Sequence, residues 1–237
     1  ALRQARDAAN GKDVRIGDSV IIRRAGDVIP EVVQVLTDKR PKNSKAFKIP
    51  DHCPVCDSKA VILEGEAVKR CVNPLCPAMM KEALKHFASR NAMNIEKLGD
   101  RLIDTLFDSD LVKKFSDFYI LKQDQLLELE RQGEKSTSNI IQSIEKSKKT
   151  TLGKFIYALG IRFVGEQTAK SLAQHFKTVD AFLAASEEEL LSINDIGPRV
   201  AEAIIGSLKQ KDFVKEVQNL IKKGVEIESA KSQKKGD

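Results

Sequence analysis

The stretch I-N-D-I-G-P, from Ile193 to Pro198, is the last of four similar stretches that are each centred on a glycine. The other three are I-E-K-L-G-D at Ile95 to Asp100, L-E-R-Q-G-E at Leu129 to Glu134, and I-R-F-V-G-E at Ile161 to Glu166. The glycines are Gly99, Gly133, Gly165 and Gly197, at intervals of 34, 32 and 32 residues. A recurring period of this length indicates an internal structural repeat.

Helix-forming patterns surround each glycine at constant offsets. An aliphatic residue stands four positions before it, at Ile95, Leu129, Ile161 and Ile193. Four positions after it stand Ile103, Thr137, Ala169 and Ala201, and seven after it Leu106, Ile140, Leu172 and Ile204. These offsets follow one face of a helix, and Ser186 with Glu189 matches the capping box that opens one. The repeat predicts four units of helix, tight glycine turn and helix.

A glycine turn that leads into a helix suits phosphate binding. Glycine lets a ligand approach the backbone, and the helix offers N–H groups and a partial positive charge to an anion. DNA phosphates fit such a site without any base being read. Candidate contacts are the backbone after each glycine and the nearby cations Arg101, Lys135 and Arg199. The alternative is a helical array whose glycines are only C-caps.

The charge of the 237-residue chain is concentrated at its beginning. The net charge is +6, and residues 1–50 carry 11 Lys or Arg against 6 Asp or Glu. A basic first segment, followed by turns that suit phosphate binding, favours nucleic acid as the partner. No apolar run approaches the length of a membrane span, and the first residues do not read as a signal peptide. We therefore expect a soluble, cytosolic protein that does not bind membranes.

Residues 14–36 are rich in β-branched residues on both sides of Gly26-Asp27, which predicts a β-hairpin in a small barrel segment. Pro30 requires an edge strand or a bulge. The basic segment 39–48 is predicted as a linker, either solvated or lying along phosphates. The five scattered phenylalanines Phe87, Phe107, Phe155, Phe176 and Phe182 are predicted as core.

Four cysteines fall within 24 residues as two close pairs, Cys53 with Cys56 and Cys71 with Cys76. This spacing lets two turns face each other and hold one Zn²⁺ ion with four thiolates. The ten residues V-I-L-E-G-E-A-V-K-R between the pairs suit the hairpin of a zinc ribbon. With all four ligands from the protein, the ion has a structural role and no open catalytic position. The alternative is two disulfides, and His52 is interpreted as a bystander.

The turns resemble the helix-hairpin-helix motif, h-x-x-h-G-x-x-x-A, which many repair proteins use on duplex backbone. That motif often has a second glycine two residues earlier, where this chain has Lys97, Arg131, Phe163 and Asp195. Gln132 also departs from the apolar position before Gly133. The second hairpin therefore matches the motif least well.

Three sets of motifs resemble bacterial NAD-dependent DNA ligases. R-I-G-D-S-V-I-I-R-R-A-G-D-V-I-P, starting at Arg15, is similar to their oligonucleotide-binding (OB) barrel, and C-P-V-C with R-C-V-N-P-L-C-P-A to their four-cysteine finger. H-F-A-S-R-N-A-M-N-I at His86 to Ile95 and A-L-G-I-R-F-V-G-E at Ala158 to Glu166 are similar to their hairpin domain. The resemblance runs in one order over about residues 14 to 228.

The resemblance implies a mainly α, multi-domain chain from the carboxy-terminal portion of such a ligase. Its parts would be a partial OB-fold and basic linker at 1–50, a zinc finger at 51–80, four helix-hairpin-helix motifs at 81–228 and a disordered tail at 229–237. It also implies that Arg24, Val28 and Ile29 lie against the minor groove beside a nick. From the residues alone, the favoured interpretation of Val28 and Ile29 is that they are ordinary core residues of a strand.

Ligases of this kind attach AMP to the lysine of a K-x-D-G motif, and this sequence contains no Asp-Gly pair. We therefore expect no catalytic residue here and no nick sealing by this polypeptide alone. The resemblance implies a monomer that clamps nicked duplex DNA in replication and repair, in the nucleoid, for an adenylation domain that binds NAD and Mg²⁺ outside this sequence. The alternatives are a free-standing DNA-binding repair accessory and a zinc-stabilised scaffold.

Overall fold

The computed structural model describes residues 14–25, 29–45, 50–62, 68–130 and 133–228. The chain divides into two compact units, Ala1–Asn73 and Pro74–Asp237. Several sequence predictions lie outside the described residues: the turn at Gly26-Asp27, Val28, the second-hairpin residues Arg131 and Gln132, and the tail 229–237.

The first unit contains the predicted hairpin. Strand β1, Val20–Ala25, pairs antiparallel with β2, Ile29–Val35, and the register shifts between Ile21 and Ile22. Pro30 lies opposite Arg24 in this two-stranded sheet. Both strands are edge strands, which tolerate proline although it has no N–H to donate. Among the described residues the OB-like segment is therefore an open hairpin, not a closed barrel.

The segment predicted as a linker folds back on this hairpin. After a 3₁₀ turn at Thr37–Lys39, Arg40 donates from Nε to Oδ1 of Asp18 and from Nη2 to Oδ2, both at 2.8 Å. The Asp18 side chain is only 1% exposed. Arg15 donates from Nη1 to the Ser44 carbonyl oxygen at 3.0 Å. The prediction of a solvated linker, or of one lying along phosphates, is thus wrong for Arg40, because it is bound to a buried carboxylate.

A second hairpin separates the two cysteine pairs, as predicted. Strand β3, Ala60–Ile62, pairs antiparallel with β4, Lys69–Cys71. Cys71 is the last residue of β4, so the hairpin carries one cysteine directly on a strand.

The second unit is mainly helical. Its elements are α1 Pro77–Ala88, α2 Asp100–Asp108, a 3₁₀ helix at Phe115–Ile120, α3 Gln123–Leu127, α4 Glu134–Ser147, β5 Lys149–Thr151, α5 Leu152–Ala158, α6 Glu166–Phe176, α7 Val179–Leu183, α8 Glu187–Leu191, α9 Pro198–Leu208, α10 Lys211–Lys222 and β6 Glu226–Glu228. Four helix pairs flank the four glycines: α1 and α2, α3 and α4, α5 and α6, α8 and α9. No described helix combines the length and apolar character that a membrane span requires.

The repeated apolar positions build one core. The residues four and seven positions after each glycine are all at most 1% exposed. Thr137, the polar member of this set, donates its hydroxyl to the carbonyl oxygens of Gly133 and Glu134 at 3.2 and 3.0 Å, which satisfies a buried hydroxyl. The five phenylalanines predicted as core are at most 6% exposed, so that prediction is confirmed.

Long-range contacts close the second unit. β5 and β6 pair in parallel, with Thr150 opposite Ile227. On α10, Glu216 accepts hydrogen bonds from the backbone N–H and the hydroxyl of Ser116 at 2.8 and 3.2 Å. The Tyr119 hydroxyl lies 3.2 Å from Ser147 Oγ, and burial raises the pKa of Tyr119 to about 12.

Candidate nucleic-acid interface and metal centre

Each of the four repeat glycines is the N-cap of the helix that follows it. Gly99, Gly133, Gly165 and Gly197 precede α2, α4, α6 and α9, with φ between −77° and −113° and ψ between 163° and 177°. The alternative in which these glycines only end helices as C-caps is therefore wrong. The sequence correctly placed them at the turn that leads into a helix.

Nothing in the described structure requires glycine at these four positions. All four are exposed, none has a positive φ, and a Cβ added to any of them would have no heavy atom within 4 Å. Residues other than proline would fit the backbone there. The four turns thus present bare backbone to open space.

Other helices of the same unit are capped by side chains. Thr151, Thr178 and Ser186 open α5, α7 and α8, and their hydroxyls accept hydrogen bonds from backbone N–H groups at 3.5, 3.2 and 3.1 Å. Such a cap satisfies one of the N–H groups that a helix leaves unpaired at its start. The glycine-capped helices have no side-chain hydrogen bond of this kind at the N-cap. In α9 the first residue, Pro198, has no N–H, and the Val200 N–H donates to the Gly197 carbonyl oxygen at 3.0 Å.

The predicted cations lie at the same place in three of the four turns. Arg101, Lys135 and Arg199 are each the second residue of their helix, and all are exposed. In the third turn this position is Gln167, as the sequence indicated.

The first helical residue distinguishes the fourth turn from the others. It is an acid in the first three turns, at Asp100, Glu134 and Glu166, and Glu166 pairs with Lys170 at 2.9 Å. The fourth turn has Pro198 there and no acid in its first helical turn. No acid at the start of this helix therefore competes with an anion for the helix N-terminus.

An open groove of about 980 Å³ adjoins the first two turns. Gly99 and Arg101 from the first turn and Ser136 from α4 contribute to its lining, together with acidic residues such as Glu128 and Glu130. The groove brings the first glycine and its cation beside the start of α4. Its mixed charge makes it a weaker anion site than the fourth turn.

The structure also brings together residues that the sequence did not single out as a site. Lys97 and Phe163, two residues before their glycines, have φ of 65° and 64°. The guanidinium groups of Arg162 and Arg199 lie 4.6 and 4.4 Å from the centroid of the Phe163 ring. Arg162 was missed; the signal that pointed to this place was a phenylalanine where the motif often has glycine.

The strand residues of the first unit are only partly described. Arg24 is exposed on β1, and Ile29 is the first residue of β2. Val28 lies outside the described residues, and the roles of Val28 and Ile29 stay predictions.

The four cysteines form one cluster. The Sγ atoms of Cys53, Cys56, Cys71 and Cys76 all lie within 4.8 Å of one another, with Cys56 and Cys71 at 3.5 Å. None of the four is part of a disulfide. Four thiolates about 2.3 Å from one Zn²⁺ ion would have comparable separations, so the cluster fits a tetrahedral structural zinc site.

Two details support this donor set. Hydrogen bonds from the side chain and the backbone of Ser58 lower the pKa of the Cys56 thiol to about 6, and zinc binds the thiolate form. His52 forms a β-bridge with Lys59 and is not part of the cluster, consistent with a bystander.

Comparison with known proteins gives three domain matches. Residues 4–44 match the NAD-dependent DNA ligase OB-fold domain, residues 52–78 the NAD-dependent DNA ligase C4 zinc finger domain, and residues 154–217 a helix-hairpin-helix motif. The helix-hairpin-helix match covers the third and fourth glycine turns.

Curated relatives agree with these domains. The chain is 60% identical over 222 residues to a DNA ligase of Bdellovibrio bacteriovorus, and 47% identical over 221 residues to DNA ligases of Bacillus thuringiensis and Bacillus anthracis. Each alignment covers 93% of this chain but only 32% or 33% of the relative. Its domains and relatives are therefore those of an NAD-dependent DNA ligase, and the chain spans about a third of the length of the curated relatives that it matches.

Proposed function

We propose that this chain is the duplex-holding portion, from the carboxy-terminal region, of a ligase that joins 3′-hydroxyl and 5′-phosphate ends in DNA. The observation that carries the proposal is the set of four glycine-capped helices. Their N-termini present backbone N–H groups to open space, and nothing within the described structure explains the glycines. A DNA phosphate placed there explains both the missing side chain and the uncovered N–H groups.

Each part has its own role in this proposal. The segment 1–50 is a partial OB-fold, with Arg24, Val28 and Ile29 at the minor groove. The finger at 51–80 holds zinc only for structure. The domain at 81–228 binds phosphates through the four glycine turns and through Arg101, Lys135 and Arg199. The chain acts as a monomer in the cytoplasm, in the nucleoid.

The chemistry of joining lies in another part of the ligase. The adenylated lysine requires a K-x-D-G motif, and this sequence contains no Asp-Gly pair. NAD and Mg²⁺ are therefore bound by an adenylation domain outside this sequence. Incubating the chain with NAD carrying a labelled AMP group should give no labelled protein, and covalent label on the chain would overturn this part of the proposal.

Fluorescence anisotropy with a nicked duplex and the same duplex intact, at about 50 and 200 mM salt, tests the DNA-binding role, because phosphate contacts weaken steeply over that range. Salt-sensitive binding that favours the nick would support nick recognition by this portion. Equal salt-sensitive binding to both would reduce the role to clamping, and no binding to either would favour a zinc-stabilised scaffold for protein partners.

A further inference from the structure

Phe163 occupies an unusual backbone conformation at the tip of the third hairpin. Its φ is 64°, in the left-handed region that glycine adopts freely and bulky residues rarely adopt. Its side chain is 39% exposed, although Ile161 and Val164 beside it are buried. A strained and exposed aromatic residue contributes little to the core, so a phenylalanine in this conformation points to a role at the surface.

The ring of Phe163 connects two hairpins. Arg162 belongs to the same tip, whereas Arg199 is the second residue of α9 in the fourth hairpin. Their guanidinium carbons lie 4.6 and 4.4 Å from the same ring centroid, within the range of cation–π contacts. Ser171 Oγ on α6 also donates to Asp195 Oδ2 of the fourth tip at 2.9 Å, so the two tips are joined at a second point.

Two like charges are brought together by this arrangement. The two guanidinium carbons can be no more than 9.0 Å apart, since each lies against the same ring. Two arginines at that distance repel each other, and the aromatic face of Phe163 offsets part of this repulsion. Stacking engages the face of a guanidinium, whereas its N–H donors lie in the plane of the group and serve oxygen acceptors at its edge.

We propose that Phe163 is a positioning residue that holds Arg162 and Arg199 as one two-cation site for neighbouring phosphates of a single DNA strand. The proposal rests on the proposed duplex-holding function and deepens it. The N-terminus of α9, which has no acid in its first turn, adds positive potential at the same tip, and Asp195 there is hydrogen-bonded by Ser171. The third turn has Gln167 where the other turns have a cation. The Phe163 ring places Arg199 of the fourth hairpin beside this third turn.

Three substitutions at Phe163 separate positioning from packing. Phe163→Gly removes the ring and relieves the backbone, Phe163→Leu keeps apolar bulk without an aromatic face, and Phe163→Tyr keeps the aromatic face. Anisotropy with duplex DNA is measured from about 50 to 200 mM salt, and the slope of log Kd against log salt reports the number of phosphate contacts. We expect the Gly and Leu variants to bind about tenfold more weakly with a slope reduced by about 1 to 2, and the Tyr variant to match the wild type.

Lys97→Gly is the matched control for backbone relief, because Lys97 has a φ of 65° at the equivalent position of the first hairpin. Its Tm and that of Phe163→Gly should change in the same direction, since both place glycine where the backbone is left-handed. Wild-type affinity and slope in the Gly or Leu variant, or a loss in the Tyr variant equal to theirs, would overturn the positioning role while the proposed function stands. Failure of the wild-type chain to bind DNA would instead overturn the proposed function and this inference with it.

Discussion

At Gly165 and Gly197 the helix N-termini of α6 and α9 face outward with no side chain over them. An aspartate in either place would cap the helix, because aspartate is at least as good an N-cap as glycine. It would also put a carboxylate where we place a phosphate. We predict that Gly165→Asp and Gly197→Asp each weaken duplex binding by about tenfold, while Tm stays the same or rises.

Ser186→Asp is the matched control for these two variants. It adds the same charge at the N-cap of α8, a helix outside the set of glycine-capped N-termini, and it can keep a capping bond to the backbone. Anisotropy should show unchanged DNA affinity for this control. Wild-type affinity in both glycine variants would mean that the glycines are structural only.

The Asp18 carboxylate gives a prediction about pH. The hydrogen bonds from Arg40 hold the pKa of Asp18 below its usual value of 3.8. Because the folded-state pKa is depressed, the contribution of Asp18 to stability is present above about pH 4 and is lost as the pH falls through the folded pKa. A carboxyl ¹³C titration by NMR should place the midpoint of Asp18 below 3.8, and Arg40→Gln should move it back up. Equal midpoints in the two proteins would contradict the pairing.

Single residues differ in how well the sequence reveals them. The four glycines and three cations were found because a period of 32 to 34 residues marks them. The pairing of Arg40 with Asp18 spans 22 residues and depends on how the chain folds back, which no local pattern specifies. The stack of Arg199 on Phe163 likewise joins two repeats. Periodicity shows which residues are equivalent between repeats, but it does not show which residues of different repeats are in contact.

Among the elements, α1 depends directly on the metal cluster. Its N-cap is Cys76, which is fully buried and is also one of the four zinc ligands. We predict one zinc ion per chain in the wild type and loss of that ion in Cys76→Ser, measured by elemental analysis of purified protein. Most of the helical circular dichroism signal should persist, because the hydrophobic core around Phe87 and Leu106 does not use the metal. Collapse of that signal would show that the zinc is required for the whole helical unit.

The attachment of α10 depends on Glu216. Its carboxylate accepts two hydrogen bonds from Ser116, a residue that is 6% exposed and precedes it by 100 positions. Glu216→Ala would leave the Ser116 N–H and hydroxyl without these acceptors, so we predict a loss of about 1 to 3 kcal/mol in the free energy of unfolding. Urea unfolding followed by circular dichroism measures this loss. Glu216→Gln keeps an acceptor oxygen and should lose less; an equal loss would assign the effect to charge rather than to hydrogen bonding.

The sequence predicted the helix pairs and both hairpins from hydrophobic period and turn residues. It did not predict the parallel pair of β5 and β6, because Thr150 and Ile227 are far apart in the chain and each strand is only three residues long. The barrel segment was predicted mainly by resemblance. In the described residues it is a hairpin, since the pattern of β-branched residues is limited to two strands.

In the whole molecule, the excess positive charge and the glycine turns lie in different parts of the chain. The first 50 residues carry most of the net positive charge, whereas the four glycine turns lie in the second unit. If both units hold the same duplex, each acts as a tethered module that raises the effective concentration of the other. Loss of a contact in one unit should then weaken binding without abolishing it.

We therefore predict that Arg24→Ala in the first unit and Gly197→Asp in the second each reduce duplex affinity, and that the double variant loses the sum of the two free-energy changes. Additivity is expected because the two residues are in separate units and share no partner in the proposed complex. Arg23→Ala is the matched control, since it removes the same charge from the neighbouring position of β1, whose side chain points to the opposite face. Anisotropy at about 100 mM salt measures the duplex affinity of all four variants, because phosphate contacts still contribute to affinity at that salt concentration. If Arg24→Ala causes no loss of affinity in the wild type and no further loss in Gly197→Asp, the helical unit binds DNA without the hairpin of the first unit.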